Sequence, residues 1–421
     1  MKYLSLILSL LSLSCLAEDK YYGAKSTEAL LNFEGRILLT QALSTTGKKQ
    51  AINQQINHLI GHFQAATHLE KFRYPGVLGE DNRIVLKSEF KNDEGLVVTY
   101  QFVGRVNFHR NVFGRDGKAI VPLNLPFDLA TIYQRGVVNG KNRCTDTTYD
   151  SEGDFFYFWD PDKEGCPLKG NSTDVLRLKG QLQLLPNTKS TYPEYDQLYK
   201  KPTLKISVFF GYINKPTNRD FGAYAFREQV QILKDMGLEF AGEERAGINW
   251  KAHFVGEIKT QLGSKQNLDL TIWLTDTDLG ASDKIFHQEI VKAFREDDIV
   301  AYDGHSGLGG NLDLDLLPRF KFNSNYQIFF FNGCSSYPYF NAKYFAAKPG
   351  GKSNLDIITS GLPTLTSTSV SNMTAFLTPF VKGHLPSWQT IMNRIEASNG
   401  EEETYLMGVN GDEGNRFRPS R

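Results

Sequence analysis

The second half of this chain is constrained most by a series of short apolar runs, each separated from the next by a helical or glycine-rich stretch. Tyr326-Gln327-Ile328-Phe329-Phe330-Phe331 is the most apolar of them, and LKISVFFGYI (204–213) is of the same kind. Continuous apolar runs of this length mark strands buried on both faces. FGAYAFREQVQILKDMG then places Phe226, Val230, Leu233 and Met236 on one helical face, with Gly237 as its stop. LEFAG (238–242) begins another strand, and WKAHFVGEIKTQLG (250–263) reads as another helix. LDLTIWLTD (268–276) is strand-like, and SDKIFHQEIVKAF (282–294) is a helix capped by Ser282 or Asp283. DIVAYDGHSG (298–307) runs a strand into a glycine-rich loop, DLDLLPRF (313–320) has a short helical look, and LDIITSGLPT (355–364) is one more strand. Such alternation predicts an α/β domain over 204–395 with a mainly parallel, doubly covered sheet. In sheets of that kind the working residues gather beyond the carboxyl ends of the strands.

Residues 18–186 read differently, as an α+β domain. Ala51, Ile52, Ile56, Leu59, Ile60 and Phe63 recur at helical spacing, so residues 25–70 are expected to be helical. His58 and His62 stand at i and i+4, but no Glu or third ligand accompanies them, and a solvated face is the reading adopted. NRIVLKSEF, the turn Asn92-Asp93-Glu94-Gly95 and LVVTYQFVGRVNF form a strong hairpin signal. Further strands are expected at FFYFW (155–159) and DVLRLKGQLQLL (174–185), and the acidic cluster Asp160-Pro161-Asp162, which could hold calcium, reads as the commoner exposed turn. Residues 187–203 mix prolines, tyrosines and lysines without periodicity and read as an interdomain linker. The segment 396–421 is polar and reads as a loosely held C-terminal tail.

The first residues give the compartment. Met1-Lys2, the apolar run Leu4–Leu13 and small residues before Glu18 read as a signal peptide, 1–17, cleaved after Ala17. A membrane-spanning helix needs about 20 apolar residues, so this run is too short to remain as one. Lipid attachment at Cys15 is the alternative, although Ser12 stands where that pattern usually has an aliphatic residue. Contact with a membrane is expected only in that case, and the chain is read as exported, periplasmic or secreted, either way. Lys+Arg and Asp+Glu are both 47, so there is no basic excess to attract nucleic acid or anionic lipid. At 40% hydrophobic residues the chain is globular with real cores, which excludes a transporter, a disordered scaffold and a small disulfide-built toxin. With Cys15 in the signal, Cys144 and Cys166 form the natural pair in an oxidising compartment, lying 22 positions apart in a polar, turn-rich stretch. Cys334 is the leftover thiol.

Two strand ends carry chemistry. Ile299-Val300-Ala301-Tyr302 runs into Asp303-Gly304-His305-Ser306-Gly307, and Ile328-Phe329-Phe330-Phe331 runs into Asn332-Gly333-Cys334-Ser335-Ser336. The 29 residues from His305 to Cys334 allow one crossover between parallel neighbours, which brings both side chains to one edge of the sheet. A thiol nucleophile needs an imidazole to hold charge and to protonate the leaving amine. It also needs backbone N–H groups for the oxyanion, which Ser306, Gly307 and Cys334 can present.

Strand–Gly–His–small–Gly, a crossover, then strand–x–x–Cys–Ser resembles the caspase-like cysteine peptidases, among them metacaspases, gingipains, clostripain, legumain and separase. The resemblance covers about 204–395 and rests on two short motifs and the order of elements. It implies a caspase-like α/β domain, a His305–Cys334 dyad and an endopeptidase acting on protein or peptide substrates, with no metal or organic cofactor. Asn332, two before the nucleophile, corresponds to a position that lines the P1 pocket in several members, and a polar or basic P1 preference would then depend on Asp303. The family usually has Gly directly after the His, where this chain has Ser306, and often Ala or Ser before the Cys, where it has Gly333. Two other readings use the same residues: an inactive caspase-like binding module, and a serine hydrolase attacking through Ser306. The second lacks the elbow's second glycine, since position 308 is Leu308.

Overall fold

The computed structural model describes residues 21, 23–145, 151–168, 173–186, 191–400 and 405–419. The signal segment, with Cys15 and Ala17, and residues 187–190 of the expected linker lie outside them. The chain divides into two compact units, Thr27–Leu185 and a second made of the residues up to Ser26 together with Pro186–Arg421.

In the first unit, β1 (Ser26–Leu39) is followed by α1 (Thr45–His62), α2 (Ala66–Phe72), β2 (Gly76–Asn92), β3 (Gly95–His109) and β4 (Lys118–Pro126). After α3 (Ile132–Arg135) come the short pair β5 (Val137–Val138) and β6 (Lys141–Asn142), then β7 (Val175–Leu184). Five strands form a sheet in the order β2-β3-β1-β7-β4, with β2–β3, β1–β7 and β4–β7 antiparallel. Residues 26–39 were expected to be helical and are strand. Leu31, Phe33 and Ile37 are buried while Asn32, Glu34 and Arg36 are exposed, and only a period of two sorts these residues by polarity. The helix begins at Thr45, where Ser44 caps the Gly47 N–H at 3.2 Å, and it lays Ile52, Ile56, Leu59 and Phe63 into the sheet's core. The hairpin signal is realised: Asn92 Oδ1 accepts from the N–H groups of Glu94 and Gly95 between β2 and β3. FFYFW is a 3₁₀ turn over Phe155–Phe158 rather than a strand.

His58 and His62 are buried, against the expectation of a solvated face. His58 donates from Nδ1 to the Gln54 carbonyl and sits among the rings of Phe155, Phe156 and Trp159. His62 donates from Nε2 to the Pro122 carbonyl, and its ring lies 4.6 Å from that of His68. Cys144 and Cys166 are joined in a disulfide across a separation of 22 residues, with Cys144 buried beside Ile132 and Trp159.

The second unit runs α4 (Tyr195–Leu198), β8 (Thr203–Gly211), α5 (Phe221–Asp235), β9 (Glu239–Ala246), β10 (Asn249–Lys259), β11 (Lys265–Thr275) and α6 (Ile285–Glu296). It continues with β12 (Ile299–Gly304), β13 (Gln327–Gly333), α7 (Ala342–Ala347), β14 (Leu355–Thr359), α8 (Ser369–Val381), α9 (Trp388–Ala397) and β15 (Gly408–Asn410). Its eight strands are ordered β15-β14-β13-β12-β8-β11-β10-β9. The neighbours from β14 through β13, β12 and β8 to β11 are parallel, whereas β14–β15, β11–β10 and β10–β9 are antiparallel.

The expectation of a mainly parallel, doubly covered sheet, and with it the caspase-like α/β fold class, is therefore corrected. Among the described residues there are three sheets, the first antiparallel in its observed pairings and this one mixed. The cause is WKAHFVGEIKTQLG, expected to be a helix. Trp250, Ala252, Phe254 and Ile258 are buried and alternate with half-buried Lys251, His253 and Val255, so the segment is strand β10 of an antiparallel meander. β9 at its edge is exposed along most of its length.

The central strands remain buried on both faces. Val208, Phe210, Ala301 and Phe330 pack under α5, α8 and α9, while Phe209, Val300, Phe329 and Phe331 pack under α6 and α7. Each such side chain stabilises by about 1.5–3 kcal/mol relative to exposure. DLDLLPRF forms turns rather than a helix. Residues 191–203 do not behave as a linker, since Tyr195, Leu198 and Tyr199 join this unit's core. The tail is not loose between 405 and 415: Tyr405, Met407 and Val409 are buried, and β15 pairs with β14. Among the described residues no helix is long and apolar enough to cross a membrane.

Burial holds His58 and His62 down at about 4 and His68 at about 3, from the usual 6.5. The unfolded chain therefore takes up protons below pH 6.5 that the folded unit refuses, and stability is lost as pH falls from 6.5 towards 4. The slope should reach up to about 1.4 kcal/mol per pH unit for each ring. Thermal unfolding of the full chain should show this acid limb, and His58→Phe, which keeps the ring packing, should flatten it. An unchanged limb would remove His58 as a contributor. Reduction of Cys144–Cys166 should destabilise the same unit by roughly 3 kcal/mol, measured by denaturant unfolding with and without reductant.

Candidate active site

β12 and β13 are paired in parallel with Gly304 opposite Gly333, so His305 and Cys334 are the next residues out on adjacent strands. The strands approach closely at this point: a Cβ on Gly333 would lie 3.1 Å from the Gly304 carbonyl oxygen, while one on Gly304 would lie 2.9 Å from Tyr302 Oη of its own strand. On its other side β12 pairs with β8, whose chain continues into Ile213. Thiol, imidazole and the Ile213 carbonyl thus stand in that order beyond three neighbouring strand ends.

The imidazole is exposed, and its Nε2 lies 2.7 Å from the Ile213 oxygen. A carbonyl oxygen only accepts, so Nε2 carries the hydrogen and, in the neutral ring, Nδ1 holds the lone pair. The His305 backbone is pinned as well, its carbonyl accepting from Tyr302 Oη at 2.6 Å and from Asn311 Nδ2 at 2.8 Å. Burial pushes the Tyr302 hydroxyl up, which keeps it a proton donor to that carbonyl.

Cys334 is half-buried and is the free cysteine of the described residues. Its Sγ makes long contacts to Thr364, 3.7 Å to the carbonyl and 3.9 Å to Oγ1, and none of the described hydrogen bonds joins it to His305. The turn that presents the thiol is held from below. The N–H of Ser335 donates to Leu362, that of Tyr337 to Ser360, and Ser336 Oγ to Phe331. Ser335 itself sits at φ +47°, a left-handed conformation that a serine adopts only under constraint.

The loop after His305 is strained in the same way. Gly307, Leu308 and Gly309 follow one another at φ +58°, +52° and +89°. A Cβ at Gly307 would come within 2.6 Å of Asn311 Oδ1. The Ser306 carbonyl accepts from Gly309 and Asn311, whereas the N–H groups of Ser306 and Gly307 donate to no group among the described residues. The Ser306 side chain is buried, and no histidine or carboxylate bonds its hydroxyl among the described residues.

Asp303 and Asn332 lie one step inside the strand ends and face each other. Asn332 Nδ2 donates to Asp303 Oδ2 at 2.6 Å, with the two residues 1% and 5% exposed. The structure therefore places this pair in the interior, on the face covered by α8, rather than on an open surface. Tyr337 and Phe340 are buried too, and Tyr339 packs over Gly309. Ile213 and Thr364 were not read from the sequence as site residues. Ile213 acts through a backbone carbonyl, which leaves no side-chain signature, and Thr364 is 30 residues from Cys334. Among the described residues no group of three or more His, Cys, Asp or Glu could hold a metal ion.

Comparison with protein-family models and with curated proteins returns no match.

Burial holds the Asp303 carboxyl up at about 6 from 3.8, against hydrogen bonds from Asn332 and Ser369 that pull it down. Its folded value is raised, so the fold is favoured at low pH and loses stability as pH rises from 4 through 6. Asp303→Asn removes that cost. The unfolding midpoint should rise at pH 7.5, by the equivalent of about 1–3 kcal/mol, and stay level at pH 4. A lower midpoint at pH 7.5 would mean that the ionised carboxylate is itself stabilised.

Proposed function

We propose that this chain is an exported cysteine endopeptidase in which Cys334 and His305 hydrolyse peptide bonds through a thioester. The observation that carries the reading is the hydrogen bond from His305 Nε2 to the Ile213 carbonyl, in a ring flanked by a free thiol on the next strand end. An imidazole anchored at Nε2 has one nitrogen left for proton exchange, as a nucleophile's partner requires. In the reaction Cys334 Sγ attacks the scissile carbonyl carbon, its proton having passed to His305 Nδ1. His305 gives that proton to the amine as the C–N bond breaks, and water then releases the acyl group from sulfur. The unoccupied N–H groups of Ser306 and Gly307 are suited to the oxyanion. The two strand-end motifs, which resemble those of caspase-like peptidases, support the same roles, and the Cys144–Cys166 disulfide supports an oxidising compartment.

Hydrolysis of a P1-scanning peptide library, with and without a thiol alkylator, tests the reading. Cys334→Ala and His305→Ala should each abolish cleavage, since the members of a cooperating pair are far from additive. Their unfolding midpoints should stay within a few degrees of the parent, because one residue is exposed and the other half-buried. Ser306→Ala keeps its backbone N–H and should retain most activity. Loss of activity in Ser306→Ala with retention in Cys334→Ala would replace the thiol by the serine as nucleophile. Absence of any cleavage by the parent would leave a binding module.

A further inference from the structure

The peptide group that anchors His305 is itself held from its other end. Its carbonyl belongs to Ile213 and its N–H to Asn214, and the two belong to one rigid, planar trans unit pointing in opposite directions. The carbonyl accepts from His305 Nε2 at 2.7 Å, and the N–H donates to Asp220 Oδ2 at 2.8 Å. Asp220 Oδ1 takes the neighbouring Ile213 N–H at 2.9 Å and the Gly222 N–H at 2.8 Å. The carboxylate is 5% exposed, and no cation pairs with it among the described residues. Its charge is therefore balanced by three backbone N–H groups, two of them in the turn that carries the His305 anchor.

We propose that Asp220 is a positioning residue for His305, acting through the Ile213–Asn214 peptide group. The inference rests on the His305–Cys334 reading. An ionised carboxylate only accepts, so it fixes the direction of the whole chain: carboxylate to N–H, carbonyl to imidazole N–H. Hydrogen bonds in series polarise one another, and a negative charge at the N–H end makes the carbonyl a stronger acceptor for an imidazolium. The peptide group thus relays to the ring what a directly bonded carboxylate would supply, and it also stops the ring from turning. Helix capping alone does not call for this arrangement. Asp220 caps α5 through the Gly222 bond, a task that serine performs equally well, while the bonds to Ile213 and Asn214 serve the turn. Around this turn Tyr212 has Asp220, Arg227, Arg245 and Asp276 as charged neighbours, and the turn itself carries Lys215 and Arg219.

The test uses the full chain with Asp220→Asn, which removes the charge, and Asp220→Ser, which retains a helix cap. Three quantities are read: the rate of Cys334 alkylation by iodoacetamide from pH 5 to 9, located by peptide mass spectrometry; kcat and KM for peptide hydrolysis; and the unfolding midpoint. The parent is expected to alkylate on the acid side of neutrality, as a thiolate paired with an imidazolium does. Both variants should lose that acid-side reactivity and fall in kcat on the order of 10- to 100-fold, with KM within about 2-fold. Asp220→Ser should keep a midpoint near that of the parent. A parental pH profile and kcat in both variants, with only the midpoint lowered, would make Asp220 a helix cap and overturn the inference. Identical alkylation profiles for the parent and His305→Ala would overturn the dyad reading itself, and this inference with it.

Discussion

The parallel ladder of β8, β12 and β13 is the constraint on which the second unit depends. Its register sets Asp303 opposite Asn332 and Gly304 opposite Gly333, and on the other side sets Asp303 opposite Phe210. Because these strands run the same way and end level, their following residues emerge together. The ladder is fixed by burial on both faces. A slip of one residue would exchange Phe329 and Phe331, which pack against α6 and α7, with Ile328 and Phe330 of the opposite core. The glycines complete the arrangement, since a Cβ at 333 would press on the Gly304 carbonyl of the neighbouring strand and one at 304 on the Tyr302 hydroxyl.

Beyond the ladder, order at the site comes from hydrogen bonds rather than from apolar packing. The backbone of His305 is held by Tyr302 and Asn311, its ring by Ile213, and the thiol turn by the segment from Ser360 to Leu362. That network keeps Leu308 and Ser335 in left-handed conformations, a cost that the surrounding bonds sustain. The result is a rigid rim with one exposed imidazole and one half-buried thiol. Beneath it, Asp303 and Asn332 are spent on each other, so their polarity is directed into the protein.

The two units meet the problem of buried polar groups in different ways. In the first, His58, His62 and His68 are kept neutral by burial, which ties the unit's stability to pH. In the second, Asp356 lies fully buried and gathers donors from Tyr326, Trp388 and Asn415 onto one oxygen. Asn415 comes from the C-terminal segment, which is thereby bonded into the fold despite its polar composition.

Much of this was legible in local pattern. The apolar runs 204–213, 299–302 and 326–331 become strands β8, β12 and β13, short stretches buried at nearly every position. The helices at 221–235 and 285–296 follow from spacing, the hairpin at Asn92 from its turn residues, and the Cys144–Cys166 pair from separation and context. Placing His305 and Cys334 at neighbouring strand ends needed only the order of elements. Partner choice was not legible. The segments 26–39 and 250–259 do alternate with a period of two, which the helical expectation for each passed over, but which strands they pair with is set by the sheets they join. The burial of His58 and Asp303, the capture of Tyr195 and Val409 into the core, and the Ile213 and Asp220 contacts depend on residues far apart in the chain. Local sequence encodes periodicity and turn chemistry. Which faces meet is decided by the whole set of apolar surfaces and backbone hydrogen bonds at once, and that information exists only in the tertiary structure.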